Sequence, residues 1–316
     1  MSKYILRRLA MMIPVILGVM FIVFTLLYIT PGDPARYVLG DQATDAEIQA
    51  FRSQNGLDDP FFIQFFRFLW GFVRLDLGKS YITGEDVFGA ILAKFPNTVK
   101  LTVTAMTVSL AIAIPAGIIS ATKQYSLFDN ISMFFALLGI SMPNFWLGLM
   151  LILLFSVKWR LLPFIGNATP LHYIMPSVVL GVGLAASTAR MTRSSMLEVI
   201  RQDYIRTARA KGVAERVVIL KHALKNALIP VITIIGMQVG GMLGGSVITE
   251  TVFSWPGVGL LMLDHLRKKD YPMVLASVVF VAIVASLVNL LVDILYTYID
   301  PRIATQYMSK KRTAKA

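Results

Sequence analysis

The chain contains no cysteine among its 316 residues, so it forms no disulfide and offers no thiolate to a metal or to redox chemistry. That absence leaves the compartment open. Histidine is scarce as well: His172, His222 and His265 lie far apart in sequence and suggest no metal motif. Charge is the third shortage. Asp, Glu, Lys and Arg make up only 15% of the residues, against about a quarter in ordinary soluble domains. With 56% hydrophobic residues and a mean hydropathy of +0.68, the balance is that of a membrane protein.

The missing charge is concentrated in particular places. Six stretches, 9–30, 101–122, 130–157, 161–189, 226–249 and 271–292, carry no Lys, Arg, Asp or Glu. As helix, each is long enough to cross about 30 Å of hydrocarbon. The expected fold class is therefore all-α integral membrane protein with six transmembrane helices, which puts both termini on one side. The first stretch follows Lys3, Arg7 and Arg8 as a signal peptide would, but it has no A-x-A-like exit, so a retained helix is expected.

Orientation follows from the basic residues. With the termini inside, the cytoplasmic side holds Lys3, Arg7, Arg8, Lys123, nine residues from Arg190 to Lys225 and five from Arg302 onward, eighteen in all. The short outer loops hold five, and the long 31–100 segment, whose length weakens its vote, holds seven. Cytoplasmic termini satisfy the positive-inside rule. The net charge of +12 is thereby accounted for by topology, with no need of nucleic acid as a partner.

Other chemistries lack their residues. A secondary carrier places ionisable groups inside the membrane, and here Asp293, close to the cytoplasmic end, is the main candidate. An intramembrane enzyme needs a catalytic pair at membrane depth, and no such pair is found, so no catalytic residue and no metal ligand is assigned. Gly78-Lys79-Ser80 ends like a P-loop, but the first glycine would fall at Val73. Any ATP use must come from elsewhere.

The chain divides into an N-terminal tail and first helix (1–30), an extracytoplasmic segment (31–100), a core of five helices (101–300) with a cytoplasmic loop at 190–225, and a basic tail (301–316). In the outer segment Pro31, Gly32 and Pro34 stop the first helix. A short helix is expected between Thr44 or Asp45 and Gly56. The run of Phe61, Phe62, Phe65, Phe66, Leu69, Trp70, Phe72 and Val73 predicts an interfacial or packing helix, with a ligand surface as the alternative. Pro115, Pro143 and Pro176 would kink spans. Gly236, Gly240, Gly241, Gly244 and Gly245 give three G-x-x-x-G spacings for close helix contact or a substrate path. Ser141, Asn144, Gln238 and Asn289 would line a passage or make packing hydrogen bonds.

The cytoplasmic loop contains DYIRTARAKGVAERVVILKHALKNALIP, residues 203–230. Leu197, Ile200, Tyr204 and Ala208 recur at helical spacing from Met196 onward, and Val213, Val217, Leu220 and Leu224 recur after Gly212. Helix, glycine bend and helix is the expected form. Topology alone explains its basic residues but not two amphipathic helices; a docking element for a soluble partner explains both.

These residues resemble a known family. YIRTARAKG at 204–212 and KHALKNALIPVIT at 221–233 are similar to the cytoplasmic loop of ABC-importer permeases of the dipeptide/oligopeptide/nickel class. Against the general importer signature E-A-A-x-x-x-G-x9-I-x-L-P, only Ala208, Gly212 and Leu224 agree, whereas R-T-A-R-A-K-G is the peptide/nickel form. YILRRL (4–9), PGDPA (31–35), GLDDP (56–60), DLGKS (76–80), SMPNFWLG (141–148), GGSVITETVFSWPGVG (244–259), DYP (270–272) and NLLVDILYTYIDPR (289–302) extend the resemblance along most of the chain.

The resemblance implies a type I ABC importer permease fold in a bacterial or archaeal cytoplasmic (inner) membrane. It implies as partners a second homologous permease, two ATP-binding subunits and an extracytoplasmic substrate-binding protein, with ATP and Mg held by the ATP-binding subunits and no cofactor in this chain. Tyr204, Arg206, Thr207, Ala208, Arg209, Lys211 and Gly212 would form the coupling helix. Peptide is the expected substrate, with nickel or a nickel chelate as the alternative.

Overall fold

The computed structural model describes residues 2–299; the proposed basic tail at 301–316 lies outside the described residues. Among the described residues the regular structure is helical, with a lone bridge between Lys79 and Asp86. Helix α1 (Ser2–Ile29) ends ahead of Pro31 and Gly32. Asp33 caps α2 (Pro34–Leu39), its carboxylate accepting the Ala35 N–H at 3.0 Å. Thr44 starts α3 (Asp45–Asn55) with a capping box: its hydroxyl accepts the Glu47 N–H at 3.3 Å, and the Glu47 carboxylate accepts the Thr44 N–H at 2.8 Å. Gly56 closes α3 at a left-handed φ of 62°. The aromatic run forms α4 (Phe61–Val73), and α5 (Val87–Thr122) starts well before the charge-free stretch at 101.

Two spans differ from the sequence expectation. The stretch 130–157 is α6 (Leu127–Ser141) and α7 (Asn144–Leu151), the latter continuing as a π-helical segment Ile152–Lys158, and the two halves meet at 102°. Pro143 disfavours helix at Met142, which is extended at φ −82° and ψ 125°. Helix α8 (Leu171–Ile200) starts later than 161, after Pro163, Gly166 and Pro170, and carries Arg190, Arg193 and Glu198 in its last turns.

The chain continues through α9 (Asp203–Ala210), α10 (Glu215–Val217), a π-helical turn Val218–Ala223, α11 (Leu224–Gly245), α12 (Val247–Val252), α13 (Val258–Arg267) and α14 (Tyr271–Ile299). Among the described residues five helices are long and apolar enough to cross a membrane, six when the bent pair is counted as one span.

The chain forms two compact units, Met1–Lys100 with Leu243–Ser286 and Leu101–Met242 with Leu287–Ala316. In the first, Met20, Phe24 and Leu27 of α1 pack with Phe65 of α4 and Val274, Leu275 and Val279 of α14. A second cluster joins Leu77, Val87, Ile91, Val258, Met273 and Ala276. Lipid is as apolar as these side chains, so close dispersion contact rather than water exclusion holds such helices together.

The second unit shows that closeness at backbone level. A Cβ on Gly181 would lie 2.9 Å from the Ala105 carbonyl oxygen, and one on Gly117 would lie 2.8 Å from that of Ala189. Ala113, Ala185 and Ala189 fill the same seam between α5 and α8. Asp129 of α6, 1% exposed, accepts Arg193 Nε and Nη2 of α8 at 2.7 Å each. The bidentate geometry offsets the cost of burying the Asp129 charge, while Arg193 stays partly exposed.

Candidate functional site

The loop at 190–225 keeps the helix–glycine–helix plan, with a different phase. The sequence pattern treats 196–211 as one helix, whereas the chain turns at Arg201 and Gln202 between α8 and α9. That turn resets which residues face inward. Ile205, 0% exposed, becomes the anchor, packed with Ala121, Met196, Val218, Ile219, Ala223 and Ala227. Leu197, Ile200 and Ala208 border this cluster, while Tyr204 is exposed and its hydroxyl accepts Asn226 Nδ2 at 2.7 Å. The second pattern slips too. Val217 and Leu220 are exposed and Val218 and Ile219 are buried, because the π-helical turn fits an extra residue into its repeat.

Gly212 does what the sequence asks of it. At φ 75° it terminates α9: its N–H donates to the Arg209 carbonyl at 2.9 Å, and the Val213 N–H to that of Ala208 at 3.3 Å. This is the hydrogen-bond pair of a Schellman stop, with Val213 and Ala208 packing alongside. Across the bend Arg209 makes a two-pronged pair with Glu215, at 3.0 and 2.6 Å, and that hydrogen bonding raises the guanidinium pKa. Arg206, Thr207 and Lys211 stay exposed. The result is a short helix anchored on one face by Ile205, fixed at its end by a turn, and presenting cationic side chains on the other face.

The remaining sequence candidates separate. Gln238 joins α11 to α8: its Nε2 donates to Ser187 Oγ at 2.8 Å and the Leu184 carbonyl at 3.3 Å, and Thr188 Oγ1 donates to its Oε1 at 3.2 Å. Gly240 is buried against α14, where a Cβ would lie 2.8 Å from Asn289 Oδ1; at Gly236 one would lie 2.2 Å from Val292. Gly241 faces open space, and Gly244 lies in the same helix. Ser141 is exposed and donates to the Leu137 carbonyl at 2.9 Å; Asn144 is exposed at the start of α7. Asp293 is half-buried in α14 and has a partner. His172 Nδ1 accepts the Thr169 N–H at 3.1 Å at the start of α8.

Two buried carboxylates in the first unit escaped the sequence reading. Glu250, 0% exposed, accepts Thr98 Oγ1 at 2.9 Å, Ser246 Oγ at 2.8 Å and the Leu260 N–H at 3.0 Å. A Cβ on Gly257 would sit 2.5 Å from that carboxylate, so the glycine in FSWPGVG makes room for it. Trp255 Nε1 donates to the Asn97 carbonyl and Asn97 Nδ2 to that of Pro256, each at 3.0 Å. Asp270 accepts Ser80 Oγ at 2.5 Å, His265 Nδ1 at 2.7 Å and the Tyr81 N–H at 3.1 Å. Burial alone would raise the Asp270 pKa, but these hydrogen bonds outweigh it and hold it below the ordinary value. The false P-loop is thus a loop whose serine is tied to Asp270. Burial and the Asp270 charge push Tyr81 up to about 12.

Comparison with known proteins places this arrangement. Residues 113–305 match the family model described as "Binding-protein-dependent transport system inner membrane component", and residues 1–102 match the corresponding N-terminal model. The chain belongs to this family. The permease is 42% identical to the dipeptide transport system permease protein DppB of Alkalihalophilus pseudofirmus, and 42% identical to that of Escherichia coli K12. It is 45% identical to the glutathione transport system permease protein GsiC of Pectobacterium atrosepticum. Each alignment covers 96% of the permease and 99% of the relative. Among solved structures, the MetNI methionine ABC transporter in inward-facing conformations matches 67% of the permease and 96% of its own chain, at 20% identity and a TM-score of 0.56. The permease therefore shares the type I ABC importer fold and is a multi-pass inner-membrane component.

Proposed function

We propose that this permease forms half of the translocation path of an ATP-driven importer of peptides. The carrying observation is near-full-length identity of 42–45% with relatives named for dipeptide and glutathione transport. Both names denote peptides, which favours that class over nickel or a nickel chelate. The partners are a second homologous permease, two ATP-binding subunits and a substrate-binding protein on the outer side. ATP and Mg belong to the ATP-binding subunits; this chain hydrolyses nothing itself.

In this reading both termini are cytoplasmic, 31–100 is an extracytoplasmic segment whose α4 packs at the membrane, and Tyr204 to Gly212 dock in a cleft of an ATPase subunit. The anchored, cationic form of α9 supports the docking role. Because Ile205 packs on residues of α8 and of the start of α11, motion imposed on α9 is passed to two spans. Closure of the ATPase pair then shifts the permease toward its outward-facing state, and hydrolysis returns it.

Purification from membranes in mild detergent, with mass spectrometry of what remains bound, tests this directly. Two ATP-binding proteins and a second permease are expected, with ATPase activity stimulated by a binding protein loaded with dipeptide. A chain recovered alone and folded overturns the importer reading and makes Asp293 the residue to test. Stimulation by a nickel-loaded but not a peptide-loaded binding protein overturns the substrate.

A further inference from the structure

Helix α4 has three faces. Phe61, Phe65, Phe68 and Phe72 pack inward; Phe62, Ile63, Phe66, Trp70 and Val73 are 51–68% exposed; Gln64, Arg67 and Arg74 form a polar strip beside them. The inward face sets its depth. Phe65 meets Phe21 and Phe24 of α1 at ring separations of 5.5 Å, and Phe61 meets Tyr28 at 5.1 Å. These α1 residues belong to the span Ile5–Ile29, and Phe21 lies about 12 Å below its end at a rise of ~1.5 Å per residue. α4 is therefore at membrane depth, yet its 13 residues are too few to cross, so its exposed apolar face continues the lipid-facing surface of α1.

The polar strip lines a cavity of about 730 Å³, within the range of small-ligand sites. Its floor is apolar, made by Phe24, Leu27, Phe68, Leu77 and Leu275. Its rim carries three arginines against two carboxylates. Arg52 is paired with Asp33 and Asp58, and Arg67 with Asp59. Arg74 stacks 4.4 Å over the Trp70 ring and has no carboxylate in ion-pair reach among the described residues. Of the rim carboxylates, Asp33 is committed to Arg52, and Asp76 accepts the Gly78 N–H at 3.3 Å. Tyr271 lines the same cavity with other atoms; its hydroxyl is buried out of reach of the cavity and has no hydrogen-bond partner.

We propose that this cavity binds an anionic phospholipid of the outer leaflet. Arg74 holds the headgroup phosphate, and an acyl chain lies along Phe62, Phe66 and Trp70. An apolar floor, a cation without a carboxylate and a lipid-facing strip fit an amphiphile with an anionic head better than a soluble anion. The leaflet rests on the orientation proposed above; the lipid chemistry does not.

The test uses the whole purified complex in nanodiscs of phosphatidylcholine with phosphatidylglycerol, extracted into mild detergent, with retained lipid measured by native mass spectrometry. Phosphatidylglycerol is expected to be enriched over its bulk fraction. Arg74→Gln should lower that enrichment about five-fold, the worth of one basic residue at an anionic surface. Arg74→Lys should restore most of it, which separates charge from folding. Equal enrichment in wild type and Arg74→Gln overturns the proposal, as does displacement of the lipid by millimolar glycerol phosphate or dipeptide, which would mark a soluble-ligand site. The chain has no cysteine, so Thr83→Cys supplies a single thiol in the adjoining loop. Labelling by an impermeant maleimide only from the cytoplasmic side would overturn the leaflet while leaving the lipid measurement intact.

Discussion

Two loops of the permease use charge in opposite ways. Around Glu250 and Asp270 the carboxylates are fully buried, and each accepts three hydrogen bonds, including one from a backbone N–H. Around Arg209 the ions are exposed at the surface, paired with each other and otherwise open to water. A buried, saturated carboxylate fixes the path of the backbone, because every donor it holds would be costly to leave alone. An exposed cation fixes little and remains available to a partner. The two loops therefore carry different risks: loss of folding in the first and, on the docking role proposed above, loss of communication in the second.

Glu250→Ala should break the contrast most strongly. It leaves Thr98, Ser246 and the Leu260 N–H without this acceptor and empties the space beside Gly257. A loss of at least ~3 kcal/mol is expected for removing a buried, multiply bonded charge. It would be read as a large fall in the thermal unfolding midpoint in detergent and in yield, and an unchanged midpoint would show that Glu250 does not hold the loop.

Gly212→Pro comes next and tests the other loop. Proline cannot adopt φ 75° and removes the N–H that donates to Arg209, at a local cost of about 3 kcal/mol. Because Gly212 is exposed with open space around it, the damage should stay local: membrane insertion normal, peptide-stimulated ATPase and uptake sharply reduced. Gly212→Ala, with about 1 kcal/mol of backbone strain, should fall between. Full coupling in both variants would remove the bend from the mechanism.

What the sequence revealed follows from which signals are local. The spans, a helix start at Thr44 or Asp45 and the stop at Gly56 are written in neighbouring residues, so they were legible. The phase of α9 was not, because the turn at Arg201 and Gln202 has no proline or glycine to announce it, and the π-helical turn alters the repeat from within. Asp129 with Arg193, Glu250 with Thr98 and Asp270 with Ser80 were invisible for another reason. Their partners are 64, 152 and 190 residues away, and each acid sits just outside a charge-free stretch, where a count of spans reads it as a helix end.

Arg209→Glu should have a smaller effect on stability, below about 1 kcal/mol as for exposed pairs, although it places like charges beside Glu215. Its expected mark is on coupling: stimulated ATPase and uptake should fall while unfolding is unchanged. Glu215→Arg in the same chain restores the internal pair but not the surface presented to a partner. Recovery of coupling in the double variant would therefore assign Arg209 an internal structural role and remove it from the docking face.

The smallest effect distinguishes Asp270 by acidity. Its pKa in the folded protein lies below the ordinary carboxylate value, which is about 3.9 in an unfolded chain. The ionised form is thus favoured by folding. Its stabilisation is complete above that unfolded value and is lost as pH falls through it toward the lower folded one. Unfolding midpoints should consequently be flat in this respect between pH 5 and 8, by the same linkage, and decline below about pH 4. Asp270→Asn should lower the midpoint at neutral pH and reduce the acid decline, because the amide cannot titrate and presents one acceptor oxygen where the carboxylate presents two. An acid decline of equal size in Asp270→Asn would move its origin to other carboxylates and leave the Ser80 and Tyr81 contacts as uncharged packing.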